Sequence, residues 1–149
     1  MRYVKKFKKF NIQTVVGLLI FSKSTKRILL IQRSDGNKYW SILTGGVDKK
    51  DTNDYETIRR ELGEELRFFD IKKIKIKKIN DELTKKRHFK FYYGEIEDEF
   101  DVILDDENIS WGWFSIDGPS IINGQFNSFG LPENLYPGLS EKITKTVKQ

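Results

Sequence analysis

The chain has 149 residues, with 27 Lys and Arg against 22 Asp and Glu, a formal net charge of +5, one His and no Cys. That length suits a single domain over residues 1–149, able to bury a core without a disulfide or zinc staple. The lack of cysteine excludes a disulfide framework, a thiolate nucleophile and a Cys-based zinc site, and the lone His88 excludes a multi-His centre. Any bound metal is therefore expected on carboxylates and carbonyls, the chemistry of Mg²⁺, Mn²⁺ or Ca²⁺.

The Lys-rich start, Met1 to Phe10, lacks a signal-peptide apolar core and a small-residue cleavage site. The apolar run Val15 to Phe21 is far below the ~18 residues of a membrane span, so a cytoplasmic protein with no membrane partner is expected. Thr14 to Phe21 and Arg27 to Arg33, joined by the polar Ser22 to Lys26, predict a hairpin. Tyr39 to Leu43 predicts a short strand ended by Gly45-Gly46. Between Asp51 and Asp70 the period becomes helical, with Asn53 and Glu56 as a capping pair and Thr52 or Asp54 as rival caps. Tyr55, Ile58, Leu62, Leu66 and Phe69 form the apolar stripe expected to face the sheet.

Lys72 to Asn80 alternates Lys with Ile, placing Ile74 and Ile76 inward on a strand with one wet face. His88 to Ile96 and Ile109 to Ile116 predict two further strands, and Leu139, Ile143 and Val147 predict a final helix. Strands, a helix, strands and a helix imply a mixed sheet sandwiched between helices.

The helix carries the chemistry. Glu61, Glu64 and Glu65 lie at i, i+3 and i+4, on a second stripe centred roughly 110° from the apolar one. Such carboxylates repel one another in an isolated helix, and a divalent cation turns that repulsion into coordination. A plain solvated acidic face is the alternative. Gly63, between the carboxylates, costs ~1 kcal/mol relative to Ala in a helix and weakens that alternative.

From Gly46, five residues lead to Thr52 and seven more to Arg60-Glu61-Leu62-Gly63-Glu64-Glu65-Leu66-Arg67-Phe68. The segment resembles the Nudix box: Gly, five residues, Glu, seven residues, then Arg-Glu-apolar-any-Glu-Glu-any-Gly-apolar. Gly46, Arg60, Glu61, Leu62, Glu64 and Glu65 agree in register, and Phe68 fits the last apolar place. Thr52 stands where the family has Glu, with Asp51 beside it as a partial substitute, and Arg67 stands where it has Gly. A Trp shortly before Gly-Gly, Trp113-Phe114 and Leu131 to Gly138 extend the likeness over nearly the whole chain.

The resemblance implies an α/β Nudix fold and a Mg²⁺- or Mn²⁺-dependent hydrolase that cleaves the diphosphate linkage of a nucleoside diphosphate derivative or nucleoside triphosphate. It implies Glu61, Glu64 and Glu65 as metal ligands, with Glu64, Glu65 and Arg60 as catalytic residues. Gly45 and Gly46 would allow close backbone approach to phosphates and metal. For the catalytic base, a box glutamate competes with Glu107, one of eight acids among the thirteen residues 95–107, which hold no Lys or Arg. Arg33 is a candidate for a substrate phosphate, or an ordinary strand-end charge. Trp40, Phe91, Tyr92 and Trp113 are candidates for stacking a base, and His88 reads as structural.

Basic stretches at Arg2 to Lys9, Lys72 to Lys78 and Lys85 to Lys90 attract polyanions or simply solubilise the surface. They keep a capped or triphosphorylated RNA 5′ end open as an alternative substrate. A nucleotide-sensing Nudix module without catalysis is the alternative from another class. The expected assembly is a monomer or homodimer.

Overall fold

The computed structural model describes residues 13–65 and 74–147, with backbone only for 62–65. In chain order the elements are β1 (Gln13–Ser22), β2 (Arg27–Arg33), β3 (Trp40–Ser41), β4 (Leu43–Gly46), α1 (Asp54–Glu65), β5 (Lys75–Leu83), β6 (Arg87–Ile96), β7 (Asn108–Phe114), β8 (Ser120–Ile122), β9 (Gln125–Asn127) and α2 (Leu139–Val147). The strands form one sheet in the order β5-β6-β1-β2-β7-β8-β9, with β3 on β2 and β4 on β1. The pairing is mixed, as expected: β1 and β6 run parallel along their whole length, and the other pairs are antiparallel.

The continuous apolar runs of β1 and β2 arise because both sheet faces are covered. Val16, Leu18 and Ile20 of β1 join Leu29 and Ile31 of β2 on one face, where Ile58 of α1 packs. Leu19, Ile28 and Leu30 point the other way, toward Leu139 and Ile143 of α2. Among the described residues no helix is long and apolar enough to cross a membrane.

Three local features depart from the sequence reading. The strand expected at Tyr39 to Leu43 breaks at Ile42 into β3 and β4, and Gly45-Gly46 end β4, as expected, while still pairing with Val16 and Val15. In β5 the register shifts between Lys78 and Asn80. Ile76 packs with the α1-side cluster and Ile79 with the α2-side cluster, as alternation requires, so the face expected to be wet also buries an Ile. The bulge then puts Asn80 opposite Phe91 and inverts the alternation beyond Ile79. The β8–β9 hairpin was not anticipated. Its turn is Asn123-Gly124, both at positive φ (50° and 81°), and that dipeptide between β-forming residues was the available signal.

In α1, the Asn53 carboxamide oxygen accepts the Glu56 N–H (2.9 Å), and the Glu56 carboxylate accepts the Thr52 N–H (3.0 Å), so Asn53 is the cap. Tyr55 is not in the buried stripe: it is 45% exposed. The inward line runs through Thr57 and Ile58 to Glu61, whose side chain is 14% exposed. The buried Thr57 hydroxyl bonds to Asp51 (2.7 Å) and takes an inward place beside Ile58 that the apolar stripe does not include. Leu66, Arg67, Phe68 and Phe69, and the basic residues Arg2 to Lys9, Lys72 and Lys73, lie outside the described residues.

Candidate active site

Gly45 and Glu61 are in intimate contact: a Cβ built on Gly45 would fall on Cγ, Cδ and Oε1 of Glu61. The glycine thus makes room for the box glutamate over β4, a closer partner than the phosphates expected from the sequence. Gly46 has a different part. The nearest atom to a Cβ there is Gln13 Nε2 at 3.7 Å, an ordinary contact, while its carbonyl accepts Arg60 Nη2 (2.7 Å).

Arg60 joins the loop to the helix. Nη2 also donates to Asp51 Oδ2 (3.1 Å), and Nη1 donates to Glu61 Oε1 (3.0 Å). Asp51 Oδ2 further accepts the Asp48 N–H (2.8 Å) and the Thr57 hydroxyl (2.7 Å). These donors, Arg60 foremost, then the Asp48 amide and Thr57, lower the Asp51 pKa to about 2. Asp51 therefore supplies the loop carboxylate that Thr52 cannot, in the form of an anchor for Arg60. The exposed Thr52 uses its backbone N–H in the cap instead.

The helix backbone is regular through Glu65, which puts positions 64 and 65 at i+3 and i+4 from Glu61. The side chains of Glu64 and Glu65 lie outside the described residues. Among the described residues no three His, Asp or Glu side chains gather into a metal cluster.

Behind the helix, the Tyr92 hydroxyl donates to Asp54 Oδ2 (2.6 Å) and Lys90 Nζ to Asp54 Oδ1 (3.2 Å), fixing the first turn of α1 to β6. Burial, then the neighbouring Asp54, raises the Tyr92 pKa above the usual phenol value. Tyr92 is thus occupied with the helix. Trp40, Phe91 and Trp113 are core residues, 8%, 1% and 1% exposed, so none of these four is placed to stack a base. They are buried because their strands lie inside a sheet covered on both faces. His88 Nε2 pairs with Asp81 Oδ1 (3.1 Å) across the β5–β6 hairpin, a structural contact as expected.

Arg33 and Glu107 meet at the end of β2. Arg33 pairs in register with Asn108, and the Glu107 carbonyl accepts both the N–H (3.0 Å) and the hydroxyl (2.9 Å) of Ser34. The Arg33 guanidinium holds Asp35 (3.0 Å), and Glu107 is exposed.

Arg33 also borders a cavity of about 380 Å³ on the α2 side of the sheet. Thr44, next to Gly45, is another wall, so the cavity and Glu61 lie on opposite faces of β4. Phe89 is part of the lining, and Gly17 makes room for it: a Cβ there would lie 2.6 Å from Phe89 Cζ. Tyr136 and Pro137 come from the segment Leu131 to Gly138, which is strapped to β3. Trp40 N–H donates to Asn134 O and Tyr136 N–H to Trp40 O, each at 2.8 Å. Phe89, Tyr136, Arg87 and Lys142 were not singled out from the sequence. They come together only through the parallel β1–β6 pairing and the packing of α2.

A family profile described as the NUDIX domain matches residues 11–128, most of the chain. The chain belongs to the Nudix hydrolase family. This Nudix protein is 38% identical over 58 residues to a dihydroneopterin triphosphate diphosphatase of Haemophilus influenzae, a match covering 39% of the chain and 35% of that relative. The chain thus spans about a third of the curated relative it matches. Among solved structures, a MutT/nudix family protein from Enterococcus faecalis superimposes with a TM-score of 0.67 at 15% identity, covering 99% of this chain and 69% of that one. A C. elegans Ap4A hydrolase gives 0.56 at 22% identity, over 68% and 79% of the two chains. These likenesses show the α/β Nudix fold.

Proposed function

We propose that the chain is a pyrophosphohydrolase that uses Mg²⁺ or Mn²⁺ to cleave the diphosphate linkage of a nucleoside diphosphate derivative or nucleoside triphosphate, acting in the cytoplasm. The observation that carries this reading is Glu61, seated over Gly45, held by Arg60 and followed by Glu64 and Glu65 at helical spacing. The names of the relatives, a triphosphate diphosphatase and an Ap4A hydrolase, are in keeping with it.

In this reading Glu61, Glu64 and Glu65 hold the cation. An oxygen donor set without Cys or His suits Mg²⁺ or Mn²⁺. The cation supplies neutralisation of the diphosphate oxygens and activation of water. Arg60 keeps Glu61 and the Gly46 carbonyl at a fixed spacing. Gly46 lets the substrate approach β4 while Gly45 seats Glu61, and Arg33 binds a phosphate. Water attacks phosphorus, the bridging P–O bond breaks with its electron pair going to the leaving phosphate, and the proton of water passes to Glu107.

The test is incubation with Mg²⁺ or Mn²⁺ and a panel of nucleoside triphosphates, ADP-ribose, dinucleoside polyphosphates and 5′-triphosphorylated or capped RNA, with identification of products. Metal-dependent cleavage at a diphosphate, nearly abolished by Glu64→Gln and by Glu65→Gln, is expected. Binding without cleavage across the panel would overturn the reading in favour of a nucleotide-sensing module.

A further inference from the structure

The sheet face that carries α1 continues past the helix to β9. Trp113 of β7, in the cluster with Ile58, pairs with Ile121 of β8, and Ile121 pairs with Phe126 of β9. Residues directly opposite one another share a face, so these three side chains form a row, and Trp111, two residues before Trp113, stands beside it. Trp113 is buried under Phe100, whose ring meets it edge-on with centroids 5.4 Å apart. Trp111 and Ile121 are half-buried, and Phe126 is 70% exposed.

A cavity of about 220 Å³ opens along this row, lined by Glu99, Phe100, Asp101, Trp111, Trp113 and Ile121. Its two acids differ. Glu99 is paired with Arg27 (3.3 Å), whereas the exposed Asp101 forms no ion pair among the described residues. An indole wall beside an unengaged carboxylate suits a cationic side chain. A guanidinium suits it best, since it lies on the aromatic face while donating to the acid.

Charge points to an occupant within the same chain. Residues 95–107 hold eight acids and no Lys or Arg, while Met1 to Phe10 holds five bases (Arg2, Lys5, Lys6, Lys8, Lys9) and no acid. Tyr3, Val4 and Phe7 in that segment match the apolar row of Ile121 and Phe126.

Reach narrows the choice further. Gln13, where the segment joins β1, lies eight residues before Phe21, which pairs with Ile28, and the adjacent Leu29 pairs with Trp113. Eight strand residues, ~26 Å, and two strand spacings, ~10 Å, put the cavity about 30 Å from Gln13. Arg2, eleven residues from Gln13, spans at most about 40 Å. Lys8 and Lys9, five and four residues away, span less than about 20 Å.

We propose that this cavity docks the chain's own segment Met1 to Ile12, with Arg2 as the anchoring cation between Trp111 and Asp101. The docking does not depend on the hydrolytic reading.

The experiment uses the full chain. Arg2→Lys keeps the cation and supplies an amine, and a zero-length carbodiimide then joins it to any carboxylate it touches. Mixing isotope-labelled and unlabelled chains before the reaction separates links within a chain from links between chains. An amide between position 2 and Asp101 or Glu99, within one chain, is expected.

A second readout needs no chemistry. Acrylamide quenching of tryptophan fluorescence reports Trp111, because Trp40 and Trp113 are buried. Loss of a charge-assisted contact is expected to weaken docking about tenfold. Arg2→Gln and Asp101→Asn should therefore raise quenching toward that of the wild type in ~1 M salt, where the screening length is about 3 Å. Lys9→Gln should leave it unchanged.

A position-2 link that forms only between labelled and unlabelled chains would overturn the proposal in favour of a second copy as the occupant. So would the absence of any link from position 2 to Asp101 or Glu99. Equal quenching of Arg2→Gln and wild type, with native circular-dichroism spectra, would also overturn it, as would a rise as large in Lys9→Gln as in Arg2→Gln.

Discussion

The Glu61 side chain occupies the space that the Cβ of any residue other than glycine would take at position 45. Gly45→Ala must push Glu61 off β4, and because Arg60 Nη1 holds Glu61, the displacement passes to the Arg60 fork. Nucleotide turnover is expected to fall at least tenfold, with a stability loss of about 1–3 kcal/mol from overpacking. Gly46→Ala, with only an ordinary contact at 3.7 Å, is the control and is expected to lose less than about 1 kcal/mol. Denaturant melts and steady-state rates of the two variants, side by side, check this.

Arg60→Lys keeps the charge but loses the planar fork that reaches Gly46, Asp51 and Glu61 together. An ammonium cannot span these acceptors in the same geometry. We expect kcat/KM to drop tenfold or more while the circular-dichroism spectrum stays native. An unchanged kcat/KM would show that the fork does not set the position of Glu61.

Asp51 makes a pH signature. Its folded pKa is lowered to about 2 from an ordinary 3.8 by the Arg60, Asp48 and Thr57 donors. A depressed acid contributes stability above its unfolded pKa and loses it as pH falls toward the folded value. The Tm gap between wild type and Asp51→Asn is therefore expected to be full above about pH 4 and to close between about pH 4 and 2. A gap constant across that window would show that the Asp51 charge contributes nothing.

Tyr92→Phe removes the hydroxyl that holds Asp54 at 2.6 Å. The expected cost is about 1.5–3 kcal/mol, the usual worth of a hydrogen bond to a charged group. Hydrogen exchange should speed up in the first turn of α1 more than in β1, since Lys90 alone then ties that turn to β6. Uniform acceleration across the chain would contradict this local role.

The elements with a strong period were legible in the sequence, including the mixed sheet and α2 at its observed bounds. So was the cap, because Asn53 and Glu56 are local in sequence. Tyr55 was misplaced because periodicity weighs apolarity alone, whereas the inward place goes to Thr57, whose buried hydroxyl bonds to Asp51. Glu61 was legible as chemistry but not as position. Its contact with Gly45 depends on a strand-to-helix approach that no spacing rule encodes. The Arg87 cavity was invisible for the same reason: its walls come from β4, β6 and α2, far apart in sequence.

The central strand β1 carries β6 along one edge, while its other edge is divided between β2 at Phe21-Ser22 and β4 at Val15 to Leu18. The box helix, packed against β4, and the cavity wall on β6 are thus suspended from one shared beam. A slip in the register of β1 would carry both away together, leaving neither to compensate for the other.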